Sequence, residues 1–444
     1  MESLTLKTST EDSRQITFWG AVSIGVGGMV GGGIFAVLGL AVLLAGGAAP
    51  LSFLIAGVVA LLTAYSYAKL SVTYPSQGGT VIFIDRAFGI DLFTGGLNNL
   101  LWLSYIVTLS LYAVAFANYA ATLFPADTPV LRHLLISGGI LVPTLLNMTS
   151  PRLISRTETY VVAIKIAILV LVVVCGFFTI DPARIAPATW STPLSIVGAA
   201  MIMFVAYEGF ELIANTATNV TNYKVTLPRA YYTSVIFVIV LYTLIAMVTV
   251  GALSPAKLAG AADFALAEAA KPSLGPVGFG LVAVSAILAT FSAINATLYG
   301  SARLAYTIAE ENELPPFLGK KLWNQPVAGL LLTALLALFL SNLADLTSIS
   351  TMGSAGFLVI FAAVNAANVV KAPETGSRRS IALLGVTACL FALVALVWRT
   401  FRDDPEQLWV LGIMIALAFV IEVAVAVIYG RPGQEAGFSR QRID

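Results

Sequence analysis

Twelve apolar stretches, each about long enough to cross a lipid bilayer, constrain this chain more than any other feature. They lie at 16–45, 50–74, 92–124, 134–150, 157–180, 191–218, 228–252, 276–309, 326–344, 348–370, 380–399 and 407–429. About 20 apolar helical residues cross a hydrocarbon core roughly 30 Å thick. Only 11% of the 444 residues are charged, against roughly 25% in soluble domains. Most of the chain therefore does not face water. A segment inside lipid must satisfy its own backbone, which selects helices, and a β-barrel would alternate apolar and polar residues over strands of about 10 residues. The pattern predicts an all-α membrane protein with 12 transmembrane helices.

Composition excludes several classes. The net charge of +1 leaves no bulk basic surface for nucleic acid. Cys175 and Cys389 stand singly in apolar runs and His133 is the lone histidine, so no metal site, disulfide framework or cofactor is expected. Adjacent spans lack the clustered His, Cys or Asp of a membrane-embedded enzyme. Glu2, Glu11 and Asp12 do not fit a cleaved leader, and the expectation is of short tails at 1–15 and 431–444. The stretch from Ser254 to Pro272 is expected to carry a short surface helix.

Lysine and arginine set the orientation. Alternating loops gather Lys7, Arg14, Arg152, Arg156, Lys320, Lys321, Arg378, Arg379, Arg431, Arg440 and Arg442, among others, on one side. The other side holds only Arg132, Arg184, Lys257, Lys271, Arg399 and Arg402, and Lys165 lies within a span. The positive-inside rule then predicts a multi-pass protein of the cytoplasmic (inner) membrane with both termini cytoplasmic.

Two spans contain helix-breaking sequence at membrane depth. Six of the nine residues from Gly25 to Gly33 are glycine, and each costs about 1 kcal/mol relative to alanine in a helix. Unwinding would free N–H groups near Gly33 for a carboxylate and carbonyls near Val26 for an ammonium. The same glycines also have the spacing of close helix–helix packing. In the sixth stretch, Phe204-Val205-Ala206-Tyr207-Glu208-Gly209-Phe210-Glu211 sets two carboxylates and a glycine in an apolar helix. Glu208 fits either capping of loose N–H groups or ammonium binding and proton carriage. Glu211 fits a structural or gating use. Breaks in the first and sixth spans, five spans apart, point to a midplane binding site between two inverted halves. Lys165 either snorkels to the interface or turns into the bundle, where it could bond carbonyls of the first span and give up its proton.

These motifs, in order, resemble the amino acid–polyamine–organocation (APC) superfamily, and within it the ApcT-like permeases. The resemblance rests on Gly31-Gly32-Gly33-Ile34-Phe35, on Tyr74-Pro75-Ser76-Gln77-Gly78-Gly79 with Arg86-Ala87-Phe88-Gly89, and on Phe204 to Glu211. Asn295-Ala296, Ser301-Ala302-Arg303 and Glu313-Leu314-Pro315 extend it. It covers about 16 to 371. It implies the LeuT-type five-plus-five inverted repeat with helices 1 and 6 broken. The repeats would run over 16–181 and 182–371, with helices 11 and 12 at 372–430.

The resemblance also implies a site. Backbone N–H groups of Gly32 and Gly33, beside Gly31, would bind a substrate carboxylate. The Met29 carbonyl, with those of Phe204 and Val205, would take the ammonium. Tyr207 and Glu208 would flank the substrate side chain, Phe204 and Glu211 would gate it, and Lys165 would occupy the place of a sodium ion. The chain departs from the pattern at Val205, where a bulky aromatic is common. It also departs at Asn219-Val220-Thr221-Asn222-Tyr223, although Leu227-Pro228-Arg229-Ala230 is retained. Thr290 and Ser292 lie near where sodium ligands would be, but hydroxyls in a span usually bond their own backbone. The expected function is alternating-access secondary transport of amino acids as a symporter or antiporter, coupled to protons or exchange and not to sodium. The alternatives are a carrier of carboxylate-free amines, such as ethanolamine or polyamines, and a transporter-fold sensor or channel. The expected partners are the small-molecule substrate, the proton and membrane lipid; oligomeric state is not legible.

Overall fold

The structure, a computed structural model, describes residues 16–126, 128–149, 151–322 and 325–429, with no side chain described at 149 or 151–159. The tails 1–15 and 431–444, with Lys7, Arg14, Arg431, Arg440 and Arg442, lie outside the described residues. The helices are α1 (Phe18–Met29), α2 (Gly33–Ala45), α3 (Ala49–Thr73), α4 (Thr80–Phe88), α5 (Leu92–Ala121), α6 (Pro129–Thr149), α7 (Pro151–Gly176), α8 (Pro182–Ile185) and α9 (Pro193–Met203). They continue as α10 (Tyr223–Ala252), α11 (Pro255–Gly260), α12 (Ala265–Glu310), α13 (Val327–Leu343), α14 (Leu346–Val370), α15 (Ala372–Thr375), α16 (Arg379–Asp403) and α17 (Glu406–Tyr429). Among the described residues ten helical stretches are long and apolar enough to cross a membrane. The pair α1 and α2, bent by 46°, makes an eleventh, and α13 is an apolar helix of 17 residues.

Helix ends follow local chemistry. The Asp91 carboxylate accepts from the N–H groups of Phe93 and Thr94, and the Thr94 hydroxyl serves the Asp91 N–H in return, a capping box that starts α5. The Asp345 carboxylate caps α14 by accepting from the N–H groups of Thr347 and Ser348. Proline stands in the first turn of α9 and α11, where its missing N–H is an orphan in any case.

α5 runs through the middle of the molecule and is buried along most of its length. α16 and α17 are mostly exposed. These two helices line the rim and turn large apolar side chains outward, among them Leu383, Phe391, Trp409 and Val427, as a lipid-facing surface requires. A polar ladder fastens α16 and α14 to α3. Asn365 accepts from Ser66 at 2.6 Å and donates to Thr63 at 2.9 Å, and Asn368 donates to Ser66 at 3.2 Å. Each partner is satisfied, so burial costs little.

Two elements differ from the sequence reading. The fourth stretch begins at Pro129, so His133 sits inside α6, with its ring nitrogen 2.8 Å from the Asn342 amide oxygen. The segment from Ser254 to Pro272 carries the expected short surface helix, α11, and beyond it turns inward and packs as a plug. Its 3-10 turn Ala262–Phe264 lies so close to α2 that a Cβ on Gly39 would fall 2.0 Å from the Ala262 oxygen. The alanines that follow, at 265, 267, 269 and 270, are buried as well, and alanine carries no clear surface or core signal.

The first and sixth stretches break where glycine predicted. α1 ends at Met29 and α2 starts at Gly33. α9 gives way to a 3-10 turn over Phe204–Tyr207, extended backbone at Glu208 and φ +120° at Gly209. The breaks touch backbone to backbone: a Cβ on Gly209 would lie 2.4 Å from the Gly28 carbonyl carbon, and one on Gly28 would lie 2.7 Å from the Gly209 oxygen. Gly209→Ala should therefore combine left-handed strain of about 1–3 kcal/mol with overpacking of about 1–3 kcal/mol. Thermal unfolding in detergent is expected to drop well below that of the control Gly280→Ala, whose added Cβ meets nothing within 4 Å. Equal melting temperatures would remove the contact as a structural requirement.

Candidate functional site

Breaking a helix leaves polar backbone groups that hydrocarbon cannot satisfy, so the partners of the two breaks define the site. The Met29 carbonyl accepts from the Tyr242 hydroxyl of α10 at 2.6 Å. The Gly27 carbonyl accepts from the Lys165 ammonium of α7 at 3.0 Å. Lys165 is only 2% exposed. It is thus directed into the bundle and does not snorkel. On the other break, the Val205 N–H donates to Ser354 of α14 at 3.0 Å, and Ser354 donates to the Ile202 carbonyl at 2.8 Å.

The two carboxylates have different surroundings. Glu211 accepts from the Gly209 N–H at 2.7 Å and from the Tyr105 hydroxyl at 3.1 Å. It fills the role of a cap for the irregular backbone. Glu208 accepts from the Tyr112 hydroxyl at 3.0 Å and lines a cavity. Tyr105 and Tyr112 lie seven residues apart on α5, two helical turns, and so present both hydroxyls to the same break.

The cavity holds about 680 Å³. Gly27, Gly28, Tyr112, Glu208 and Gly209 line its deep end, with Ser292, Ala293, Ala296 and Thr297 of α12 along one wall. Gln77, Glu310, Lys321 and Gln325 line its mouth, on the side where α1 begins. Arg303 and Lys321 there lie over the rings of Tyr299 and Tyr306. Toward the opposite face, Phe35 meets Tyr119 edge to face at 5.7 Å, and the Ala262 turn seals against α2.

Of the residues singled out in the sequence, the structure brings Gly27, Gly28, Glu208 and Ser292 to the cavity. Met29, Gly31, Gly32, Gly33, Phe204, Val205 and Tyr207 are buried beside it and do not line it. A Cβ on Gly32 would strike the Tyr112 ring at 2.3 Å, and one on Gly33 would meet Ala206 at 2.8 Å. The Phe204 ring packs on Phe361 at 5.8 Å, and Tyr207 donates to the Phe53 carbonyl at 2.8 Å. Thr290 donates to its own helix at Ala286, as isolated hydroxyls do. Sequence reasoning missed Tyr112, Tyr105, Tyr242 and Ser354. A tyrosine in an apolar run reads as a core aromatic, and only the seven-residue recurrence of Tyr105, Tyr112 and Tyr119 marks a shared face.

Similarity to known proteins is extensive. The sequence model of the amino acid permease family matches residues 16–430. An uncharacterized protein of Methanocaldococcus jannaschii is 34% identical over 88% of this chain and 91% of its own length. The inner membrane transport protein YbaT of Escherichia coli is 33% identical over 93% of this chain and 96% of its own length. The methylthioribose transporter of Bacillus subtilis is 24% identical over 96% of this chain and 94% of its own length.

Removing either tyrosine hydroxyl strips a donor from a buried carboxylate, at a cost of about 1–3 kcal/mol. Both Tyr105→Phe and Tyr112→Phe should therefore lower the melting temperature. Only Tyr112→Phe should also change ligand affinity, since Tyr112 lines the cavity. Equal effects of the two on affinity, measured by titration calorimetry, would deny Tyr112 a binding role.

Proposed function

The chain belongs to the amino acid permease family, whose members are membrane transporters and not enzymes, and from that premise we propose that it is a twelve-helix, alternating-access carrier of amino acids. In this reading α13 is the ninth membrane helix, and 16–181 and 182–371 are inverted repeats, followed by helices 11 and 12 at 372–430. The excess of Lys and Arg on the side where α1 begins makes that side cytoplasmic, in an inner membrane. The cavity then opens inward. Transport follows from rocking of one bundle against the other around the joint of the two breaks.

The observation that carries the reading is the meeting of the broken helices at Gly28 and Gly209 on the floor of a cavity. Unwound backbone has a use in lipid only where protein or a water-filled cavity covers it. The Lys165 ammonium on the Gly27 carbonyl stands where a bound cation would otherwise neutralise the broken end of α1. It supports sodium-independent coupling to protons or exchange. Protonated, it holds the break together; on losing the proton it releases the Gly27 carbonyl to water or substrate.

A second reading has its own support. Glu208 faces the cavity, while Tyr112 and Ala206 cover Gly32 and Gly33. In this inward-open form the exposed recognition group is a carboxylate, which suits an amine. Binding of the substrate carboxylate at Gly32 and Gly33 requires the Tyr112 ring to swing aside.

A thermal-shift screen of detergent-purified protein against amino acids, carboxylate-free amines and methylthioribose, with and without sodium, tests both. A binder raises the melting temperature in proportion to the logarithm of its concentration above Kd. Stabilisation by α-amino acids without a sodium requirement is the expected result. Stabilisation by carboxylate-free amines alone would transfer the function to amine transport, and by methylthioribose alone would sink the amino acid reading. Separately, Lys165→Ala is expected to flatten the pH dependence of uptake in proteoliposomes. An unchanged profile would take the proton from Lys165.

A further inference from the structure

The face opposite the start of α1 carries a second cavity, of about 630 Å³, that shares no lining residue with the cavity at the breaks. Three elements wall it: the end of α5 with the turn after it, the plug from α11 to the 3-10 turn at Ala262–Phe264, and the first part of α12. Asn118 lines it from α5, one turn before that helix ends at Ala121. Its side chain is buried, at 6% exposure, yet it makes no hydrogen bond among the described residues. The buried Asn365 and Asn368 behave otherwise, each bonded to its neighbours. A buried amide without a partner is costly and calls for a reason.

Charge gives the sign of what fits there. Lys271 pairs with Glu268 at 2.6 Å and lies 4.5 Å over the Phe279 ring. On the plug, Asp263 pairs with Arg132 of α6 at 2.9 Å. These pairs cancel. Lys257 of α11 lines the cavity with no ion pair among the described residues, so the lining keeps one uncompensated positive charge. Phe124, Phe264 and Phe279 supply apolar walls, the last two edge to face at 6.0 Å. This set matches a carboxylate on a flat apolar body. The charge meets Lys257, a carboxylate oxygen accepts from the Asn118 amide, and the rings take the body.

We propose that this cavity binds a small aromatic carboxylate and that the bound ligand staples the plug to α5 and α12. The site exists only while the plug is seated. Lys257 and Phe264 belong to the plug, Asn118 and Phe124 to the end of α5, and Phe279 to α12, so lifting the plug takes the site apart. A ligand that binds only the assembled site stabilises the seated plug by mass action. The seated plug is the one that closes over Gly39 of α2. In the alternating-access reading, on which this consequence alone rests, the ligand therefore holds the outer side shut.

The probe is 2-naphthoate, with its methyl ester as the uncharged control, titrated by calorimetry into the intact purified protein. The acid has no amino group, and so lacks the ammonium that both readings of the other cavity require. It should bind saturably, one molecule per chain, with the ester about tenfold weaker. Lys257→Gln should weaken the acid about threefold, as loss of an exposed charge does, and Asn118→Leu about tenfold. Without ligand, Asn118→Leu should melt no lower than the unsubstituted protein, because leucine removes an unpaired amide. Hydrogen exchange across residues 255–270 should slow with the acid and not with the ester. Absence of saturable binding, equal affinity for acid and ester, or undiminished binding in both variants would overturn the site. A lower melting temperature of Asn118→Leu would overturn the role given to its amide, and unchanged exchange would overturn the staple. If Asn118→Leu does not fold, the exposed Lys257→Gln carries the same comparison. None of these readouts involves transport, so failure here is distinguishable from failure of the carrier reading.

Discussion

The rest of the structure depends on one constraint: two helices are broken inside the membrane, and each freed backbone group needs a partner that lipid cannot provide. The answer is a close joint of glycine on glycine, Gly28 against Gly209, surrounded by side chains that cap what the joint leaves open. Tyr242 takes the Met29 carbonyl, Lys165 the Gly27 carbonyl, Ser354 the Val205 N–H and Glu211 the Gly209 N–H. An unmade buried hydrogen bond costs about 1–3 kcal/mol, and each of these four partners removes a cost of that size. They come from four different helices, α10, α7, α14 and the broken span itself, and the breaks therefore tie the bundle together.

Such a joint is also where movement is possible. The groups around it are polar, few and shared between helices that lie on different sides of the cavity. Lys165 and Tyr112 both hold one group in the present arrangement that another conformation could hand to water or ligand. The rim helices α16 and α17 take no part in this joint. Instead α16 joins the ladder to α3 and α14, and α17 is tied to α5 where Glu422 accepts from the Asn99 amide.

Much of the fold was legible because membrane rules leave few options. Apolar length located the helices to within a few residues, and glycine density together with two carboxylates located both breaks. Legibility ended where one residue type serves several purposes. Alanine at 262 to 270 gave no sign that the segment plugs the space over Gly39. Tyr112 looked like any core aromatic, although its ring covers Gly32 and its hydroxyl holds Glu208. Asn98 and Asn99 stood in an apolar run, and apart from Asp85, 13 residues before Asn98, their partners are more than 200 residues away at Glu313 and Glu422.

The sequence by itself determined that this chain lives in a membrane as helices, that its first and sixth spans hold helix-breaking residues, and that one lysine and two glutamates within spans call for an explanation. These follow from one-dimensional quantities: apolar length, glycine content and the cost of charge in lipid. Only the tertiary structure decided which glutamate caps the backbone and which faces the cavity. It also decided that Lys165 turns inward to Gly27 and that Gly32 and Gly33 lie covered. Glu208 and Glu211 are three residues apart with the same chemistry. They part ways only because Gly209, between them, takes a backbone conformation that folds Glu211 back onto its own N–H and leaves Glu208 against Tyr112 and the cavity.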